Sequence, residues 1–426
     1  MFPARRLVLG LAAALALPAA LTASAGAAAT TADPLFAPVD TPGPALTVTP
    51  AQLAAVLQCS KGVDHAAKAP VLLVQGTGAT AKDNWSWTYE PALDKLGIPW
   101  CAVDLPDHAT SDVQVAGEYV VAAIRDMHAR AGRKVDIIGH SQGGMVPRWA
   151  LRFWPDTRAM VDDVIGFAPS NHGTTQAAAG CKDGCAAADW QQSDTSNFMK
   201  ALNSRQETFK GISYTVVYTR TDEVVQPNQN PQTGSSSLRT GDGRITNVAT
   251  QDICPNDVNE HLIVGLYDPV AYALAVDALT HDGPADPARV PITTCAQMFH
   301  PGINPVTFPA DAAAALADFE SYQPKQLAAE PPLACYTTAS CPATAAATPA
   351  RGCASRRRYT VHVPAAYRRA VRVTLNGRAL KVRRAKGRYT AVVDLRGRRA
   401  GAVRLVVRGR SASGRALRQT RTYRLC

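Results

Sequence analysis

Val135-Asp136-Ile137-Ile138-Gly139-His140-Ser141-Gln142-Gly143-Gly144 is the stretch that decides the fold. Residues 135–138 are a short apolar run and read as a buried strand. Residues 143–153 have helical spacing and stop before Pro155. Between them lies a G-x-S-x-G motif. A serine on a sharp strand-to-helix turn needs small flanking residues, and the turn aims its hydroxyl out of the sheet. It also stands at a helix amino terminus, whose dipole favours a developing oxyanion. The bland alternative is a glycine-rich turn, and the strand before and helix after argue against it. Pro147 is the oddity, since within a helix it removes one hydrogen bond or bends the axis.

Outward from this turn, strands and helices alternate. Val71–Val74 and Trp100–Val103 read as strands, as do 164–167, 214–218 and 245–249. Residues 84–96, Val113–Ala131 and 269–279 read as helices, the first two closed by Gly97 and Gly132. Four- to eight-residue strands alternating with longer helices imply βαβ units, hence a doubly wound, mostly parallel sheet of α/β type with helices on both faces. Residues 171–210, rich in Ala, Ser and Gln, break the rhythm and read as an inserted cap. The alanine runs and prolines of 301–352 read as a helix followed by a linker.

A serine needs a base to become a nucleophile, and the base needs an orienting carboxylate. On this architecture the chain order is serine, acid, histidine. Asp222 follows the strand 214–218 and is the expected acid. Glu223 beside it should point away, and Asp252 and Asp257 have no clear strand before them. His261 follows the acid, in a loop before the helix that starts at Pro269, and is the expected base. His281 and His300 are the runners-up. His65, His108, His128 and His172 precede the acid, His362 lies in the tail, and His140 flanks the serine and cannot fold back onto it. An oxyanion hole needs two donors. One is the backbone N–H of Gln142. The other is expected from Gly76-Thr77-Gly78 after the first strand, with the Thr77 hydroxyl as a further donor. Without a following Lys-Ser/Thr pair this loop is a poor phosphate site.

The ends of the chain differ from its middle. Arg5 and Arg6, the apolar run from Leu7 to Leu21, and Ala23-Ser24-Ala25 read as a cleaved signal peptide over residues 1–29, with the run too short to span a bilayer. Residues 30–50 read as an extended arm. Ten cysteines suit an oxidising, extracellular compartment. No C-x-x-C pair occurs, so structural zinc is not expected. The formal net charge is +11, yet residues 354–426 carry 22 Lys and Arg against one acid, Asp394, a balance of +21 that leaves −10 on residues 1–353. The tail changes to period two, with Asn376-Gly377 as a hairpin turn, and reads as a small β-sandwich of six or seven strands bracketed by Cys353 and Cys426, which we expect to be joined.

Val71-Leu72-Leu73-Val74-Gln75-Gly76-Thr77-Gly78, Ser141-Gln142-Gly143-Gly144, Phe167-Ala168-Pro169, Trp190-Gln191-Gln192 and Thr221-Asp222-Glu223-Val224-Val225-Gln226-Pro227 occur in this order. With them the chain, from about Leu53 to Cys353, resembles the family of Candida antarctica lipase B and its bacterial relatives. The resemblance implies an α/β-hydrolase fold and ester hydrolysis without cofactor or metal. It implies nucleophile Ser141, acid Asp222, base His261 and an oxyanion hole from Thr77 and Gln142. It also implies disulfides Cys59–Cys101 and Cys254–Cys295. The cap departs from the family by its own loop, Cys181–Cys185. The family's last disulfide maps onto Cys335–Cys353, which conflicts with Cys353–Cys426. The pairing Cys335–Cys341 with Cys353–Cys426 closes a small sandwich better.

The expected organisation is thus a catalytic domain over 51–334, a linker over 335–353 and a basic β domain over 354–426. The leading expectation is a carboxylic ester hydrolase working through an acyl-enzyme. Polyester hydrolysis or acyl transfer would use the same triad. A non-enzymatic protein acting through the tail is the third reading. Its charge would meet an anionic cell-wall polymer or acidic lipid surface, while four scattered tyrosines in the tail argue against nucleic acid.

Overall fold

The structure, a computed structural model, describes residues 35–341, 358–363, 366–385, 388–395 and 401–425. The expected signal segment 1–29 and the expected Cys353–Cys426 bond lie outside the described residues. Seven strands form the central sheet: β1 (Leu57–Cys59), β2 (Val71–Val74), β3 (Trp100–Val103), β4 (Val135–His140), β5 (Val161–Phe167), β6 (Ser213–Tyr218) and β7 (Arg244–Ala249). Their order is β1-β3-β2-β4-β5-β6-β7. All neighbours are parallel except β1, which runs antiparallel to β3. The chain winds outward from β2 to β3 and then returns to β4, so the winding reverses between β2 and β4. Such a reversal opens a crevice at the strands' carboxyl ends.

The strand β2 shows why these runs are apolar throughout. Leu72 and Val74 join a core with Val120, Ile124, Met145 and Trp149 from the helices Val113–Ala131 and Gln142–Phe153. Val71 and Leu73 join the opposite core with Tyr89, Leu93, Leu274 and Ala275. Both faces are covered, so no polar alternation is possible. The helix Val113–Ala131 has the boundaries its sequence signals specify. Asp112 caps its start by accepting from the Gln114 amide, and Gly132 ends it at φ 69°.

Two sequence expectations need correction. The single helix over 84–96 is two, Ala81–Trp85 and Tyr89–Leu96. Pro91 would break a continuous helix, but in the first turn of the second one its missing N–H costs nothing. The linker expected over 335–353 does not begin at 335. Residues 335–341 close a turn through Cys335–Cys341, and Tyr336 packs on Trp149, Phe153 and Trp154 beside the central sheet. The short strand β1, with two half-buried residues around the exposed Gln58, is too brief to show a period in the sequence. Pro147 leaves the helix Gln142–Phe153 unbroken.

Between β5 and β6 the inserted segment 171–210 carries the helices Thr175–Gly180, Ala187–Gln191 and Asn197–Leu202 and the disulfide Cys181–Cys185. Cys59–Cys101 joins β1 to β3, and Cys254–Cys295 ties the loop after β7 to a later turn. The stretch His261–Thr280 is long and apolar enough to cross a membrane, but 56% of it is buried. Val264, Ala271, Leu274 and Ala278 belong to the core beneath the sheet.

The tail forms a four-stranded antiparallel sheet, β10-β9-β13-β14, and a three-stranded one, β11-β12-β8. Here β8 is Arg358–His362, β9 Arg369–Leu375, β10 Arg378–Leu380, β11 Val382–Ala385, β12 Arg388–Asp394, β13 Gly401–Arg410 and β14 Ala416–Leu425. Val361, Ala391 and Val393 of one sheet share a core with Val373, Leu375, Leu405 and Val407 of the other, which makes a sandwich. Asn376 (φ 47°) and Gly377 (φ 83°) form the primed turn between β9 and β10.

Candidate active site

Ser141 stands at the carboxyl end of β4 with φ 54° and ψ −122°. A non-glycine residue there stores about 1–3 kcal/mol of strain, held by its surroundings. Its amide donates to the Phe167 carbonyl of β5 at 2.8 Å. The flanking glycines are obligatory. A Cβ on Gly139 would lie 2.0 Å from the Gly143 carbonyl oxygen, and one on Gly143 would lie 2.1 Å from that of Val74. A side chain at Gly143 would push the elbow off β2, and one at Gly139 would push the end of β4 off the start of the helix Gln142–Phe153.

His261 and Asp222 come together from separate loops. His261 Nδ1 lies 3.0 Å from Asp222 Oδ2, and the two side chains are 3% and 0% exposed. The other carboxylate oxygen accepts from the amides of Val224 (2.9 Å) and Val225 (2.7 Å). One oxygen is therefore anchored to backbone while the other faces the imidazole, and His261 Nε2 is the ring nitrogen that does not face Asp222. His261 is not in a loop, as its sequence suggested, but opens the six-residue helix His261–Leu266. That helix is capped by the Glu260 carboxylate accepting from Leu262 N (2.9 Å). Glutamate is not among the preferred caps, so the start carried no clear signal.

The competing candidates are engaged elsewhere. Glu223 accepts from the His261 amide at 3.4 Å rather than meeting the ring. Asp252 pairs with Arg220 at 2.6 Å, and Asp257 accepts from Asn259 N at 2.9 Å. His281 leans on Asp277. His300 is buried against Tyr272 and bonded to the Leu266 carbonyl, and burial pulls its pKa down to about 4.

Thr77 and Gln142 also meet. Gln142 Nε2 donates to Thr77 Oγ1 at 2.9 Å and to the Ala109 carbonyl at 2.7 Å. Gln192 Nε2 donates to the same Thr77 oxygen at 2.8 Å and to the Ala188 carbonyl at 3.3 Å, while its own oxygen accepts from Ser170 Oγ at 2.8 Å. The backbone carbonyls fix both amides with nitrogen toward Thr77. Both acceptor positions of that hydroxyl are then filled, and its proton can only donate. Gln142 is the first residue of its helix, so its own N–H has no partner within the helix.

Several contributors were not legible from the sequence. Asp107, His108 and Ala109 all have φ between 53° and 56°. Their left-handed path turns the His108 carbonyl onto Gly78 N (2.7 Å) and the Ala109 carbonyl onto Gln142. Phe319, from the helix Phe308–Ser321, packs so closely on Gly78 that a Cβ there would lie 2.4 Å from its ring. His108 stacks on Tyr322 and pairs with Asp318, tying that helix to the loop. His140, set aside as unable to reach the serine, packs its ring 5.1 Å from that of His261. A Cβ on Gly265 would strike it at 2.1 Å.

Among the described residues, one acidic group lies close enough to share a cation. It is Asp136, Asp162 and Asp163, with carboxylate oxygens within 4.8 Å of one another. It sits at the amino ends of β4 and β5, at the sheet edge away from Ser141, where the β4–β5 register slips. Burial, followed by the repulsion of neighbouring carboxylates, pushes Asp136 up to about 7 and Asp163 to about 8.

A family model described as Lipase (class 2) matches residues 120–261, a span that includes Ser141, Asp222 and His261. Lipase B of Pseudozyma antarctica is 34% identical over 259 residues, covering 59% of this chain and 74% of that protein. The crystal structure of Aspergillus fumigatus lipase B is similar with a TM-score of 0.64 at 29% identity, over 71% of this chain and 74% of that one.

Proposed function

The chain belongs to the lipase B family, and from that premise we propose that it is an exported serine hydrolase that cleaves carboxylic esters through an acyl-enzyme. The observation that carries this reading is the buried His261–Asp222 pair, together with a serine held at a strained elbow. Ser141 Oγ attacks the ester carbonyl while His261 Nε2 takes its proton, forming the serine–carbon bond. Asp222 holds the imidazole by Nδ1 and stabilises its cation. The oxyanion is met by the Thr77 hydroxyl and the Gln142 amide. Collapse of the tetrahedral intermediate breaks the carbon–oxygen bond to the alcohol, which leaves with the proton from His261. Water then repeats the sequence and frees the acid. Four disulfides and the apolar amino-terminal run support export.

The test is Ser141→Ala on a soluble p-nitrophenyl ester. The expected result is a loss of kcat on the order of 10⁴-fold or more. Unchanged turnover would reject the reading.

A further inference from the structure

We propose that the outward face of the four-stranded tail sheet docks on the anionic headgroups of a phospholipid bilayer. In β9 and β13, Val373, Leu375, Leu405 and Val407 point into the sandwich core. Strand alternation therefore turns Arg372, Arg404 and Arg408 outward, and all three are exposed. The register sets Arg372 directly opposite Arg408, and Arg408 directly opposite Arg418 on β14. Three guanidinium groups thus form a row across three adjacent strands, with strand spacing of about 4.8 Å. Arg410 stands opposite Arg369 beyond them, and Arg404 lies two residues back along β13. Thr374, Val406 and Thr420 form the row between.

Like charges directly opposite one another destabilise a sheet, and a face evolved only for solubility mixes both signs. The single acid of residues 354–426, Asp394, is on β12 in the other sheet, in register with Arg358. The outward row is therefore complementary to an external anion, and planar guanidinium forks match phosphate oxygens. Among the described side chains the face has no aromatic platform for bases, since Tyr389 lies in the other sheet. Among its described side chains the face has no large apolar one to insert, so attachment is electrostatic and reversible. The choice of a bilayer among polyanions rests on the ester-hydrolase reading, whose lipid substrates lie at such a surface.

The test is vesicle flotation of the full chain carrying Ser141→Ala, so that lipid is not consumed. Vesicles of phosphatidylcholine alone are compared with vesicles containing phosphatidylglycerol. The protein should float with the anionic vesicles at low salt, and not with the neutral ones or at high salt. The added substitutions Arg372→Gln, Arg408→Gln and Arg418→Gln should weaken binding on the order of a hundredfold. A charge-matched control, Lys381→Gln, Arg383→Gln and Arg388→Gln in or beside the three-stranded sheet, should weaken it far less. Absence of flotation, equal loss in the control, or stronger binding to duplex DNA or an anionic wall polymer than to vesicles would overturn the proposal. With Ser141 restored, both triple variants should hydrolyse a soluble ester at the parent rate. Failed docking with intact hydrolysis would sink the surface alone, and docking without hydrolysis would sink the ester-hydrolase reading.

Discussion

His140 Nε2 lies 3.2 Å from the carbonyl oxygen of His261. A carbonyl only accepts, so that nitrogen carries the ring's proton. Nδ1 then accepts from Asn84 Nδ2 at 3.1 Å, and Asn84 Oδ1 accepts from Gly76 N at 2.9 Å. One buried chain of hydrogen bonds thus joins Gly76 to the backbone of His261. Burial, followed by repulsion from His261, pulls the His140 pKa down to about 3, so the ring stays neutral while the site works. His140→Phe should lower kcat by about tenfold, roughly 1.4 kcal/mol, with KM little changed and the shape of the pH–rate profile preserved. Steady-state kinetics between pH 5 and 9 would check this. A displaced acid limb would mean that His140 titrates during catalysis.

The doubly bonded Thr77 hydroxyl leads to a sharper expectation. Thr77→Val removes the directed donor and should reduce kcat by about 10²–10³-fold at nearly constant KM, because the bond strengthens only as charge develops. Thr77→Ser should retain most activity. Equal losses in the two variants would show that the hydroxyl is not a donor.

Phe319 is half exposed and abuts Gly78, beside Thr77. Phe319→Ala should lower kcat/KM for long-chain esters by about tenfold, the worth of a partly buried aromatic contact, and leave acetyl esters nearly unchanged. A chain-length series of p-nitrophenyl esters measures this and defines the acyl preference of the parent enzyme. A uniform loss across the series would remove Phe319 from the binding surface.

The raised pKa values of Asp136 and Asp163 fix the sign of a stability effect. A carboxyl whose folded pKa exceeds its unfolded value stabilises the fold fully below about pH 4 and loses that contribution as pH rises through the folded value. Asp163→Asn mimics the protonated group. Its melting temperature should exceed the parent's at pH 8.5, by the equivalent of about 1–3 kcal/mol, with the gap closing toward pH 5. Thermal scans across that range would reveal a gap of the opposite sign if the carboxylate were favourably paired.

The sequence was most informative where one local pattern forces one geometry. Gly139 and Gly143 flank an elbow that admits no side chain, and β2 and the helix Val113–Ala131 are set by burial and caps. The order of serine, acid and histidine along the chain narrowed nine histidines to His261, which does meet Asp222. What stayed hidden depends on contacts between distant segments. Asn84 and Gln192 look like ordinary polar residues until the fold sets one on Gly76 and the other on Thr77. The left-handed run 107–109 contains no glycine to announce it, and the ring of His140 gained a role only once Gly265 and His261 closed around it.

Covalent trapping tests the central claim most directly. The purified protein is treated with a p-nitrophenyl alkylphosphonate at neutral pH, and the adduct is located by peptide mass spectrometry. One phosphonyl group per chain, on Ser141, is expected, with labelling abolished in His261→Ala and strongly slowed in Asp222→Ala. Label on another residue, or undiminished labelling of Ser141 without His261, would contradict a triad built from these three side chains.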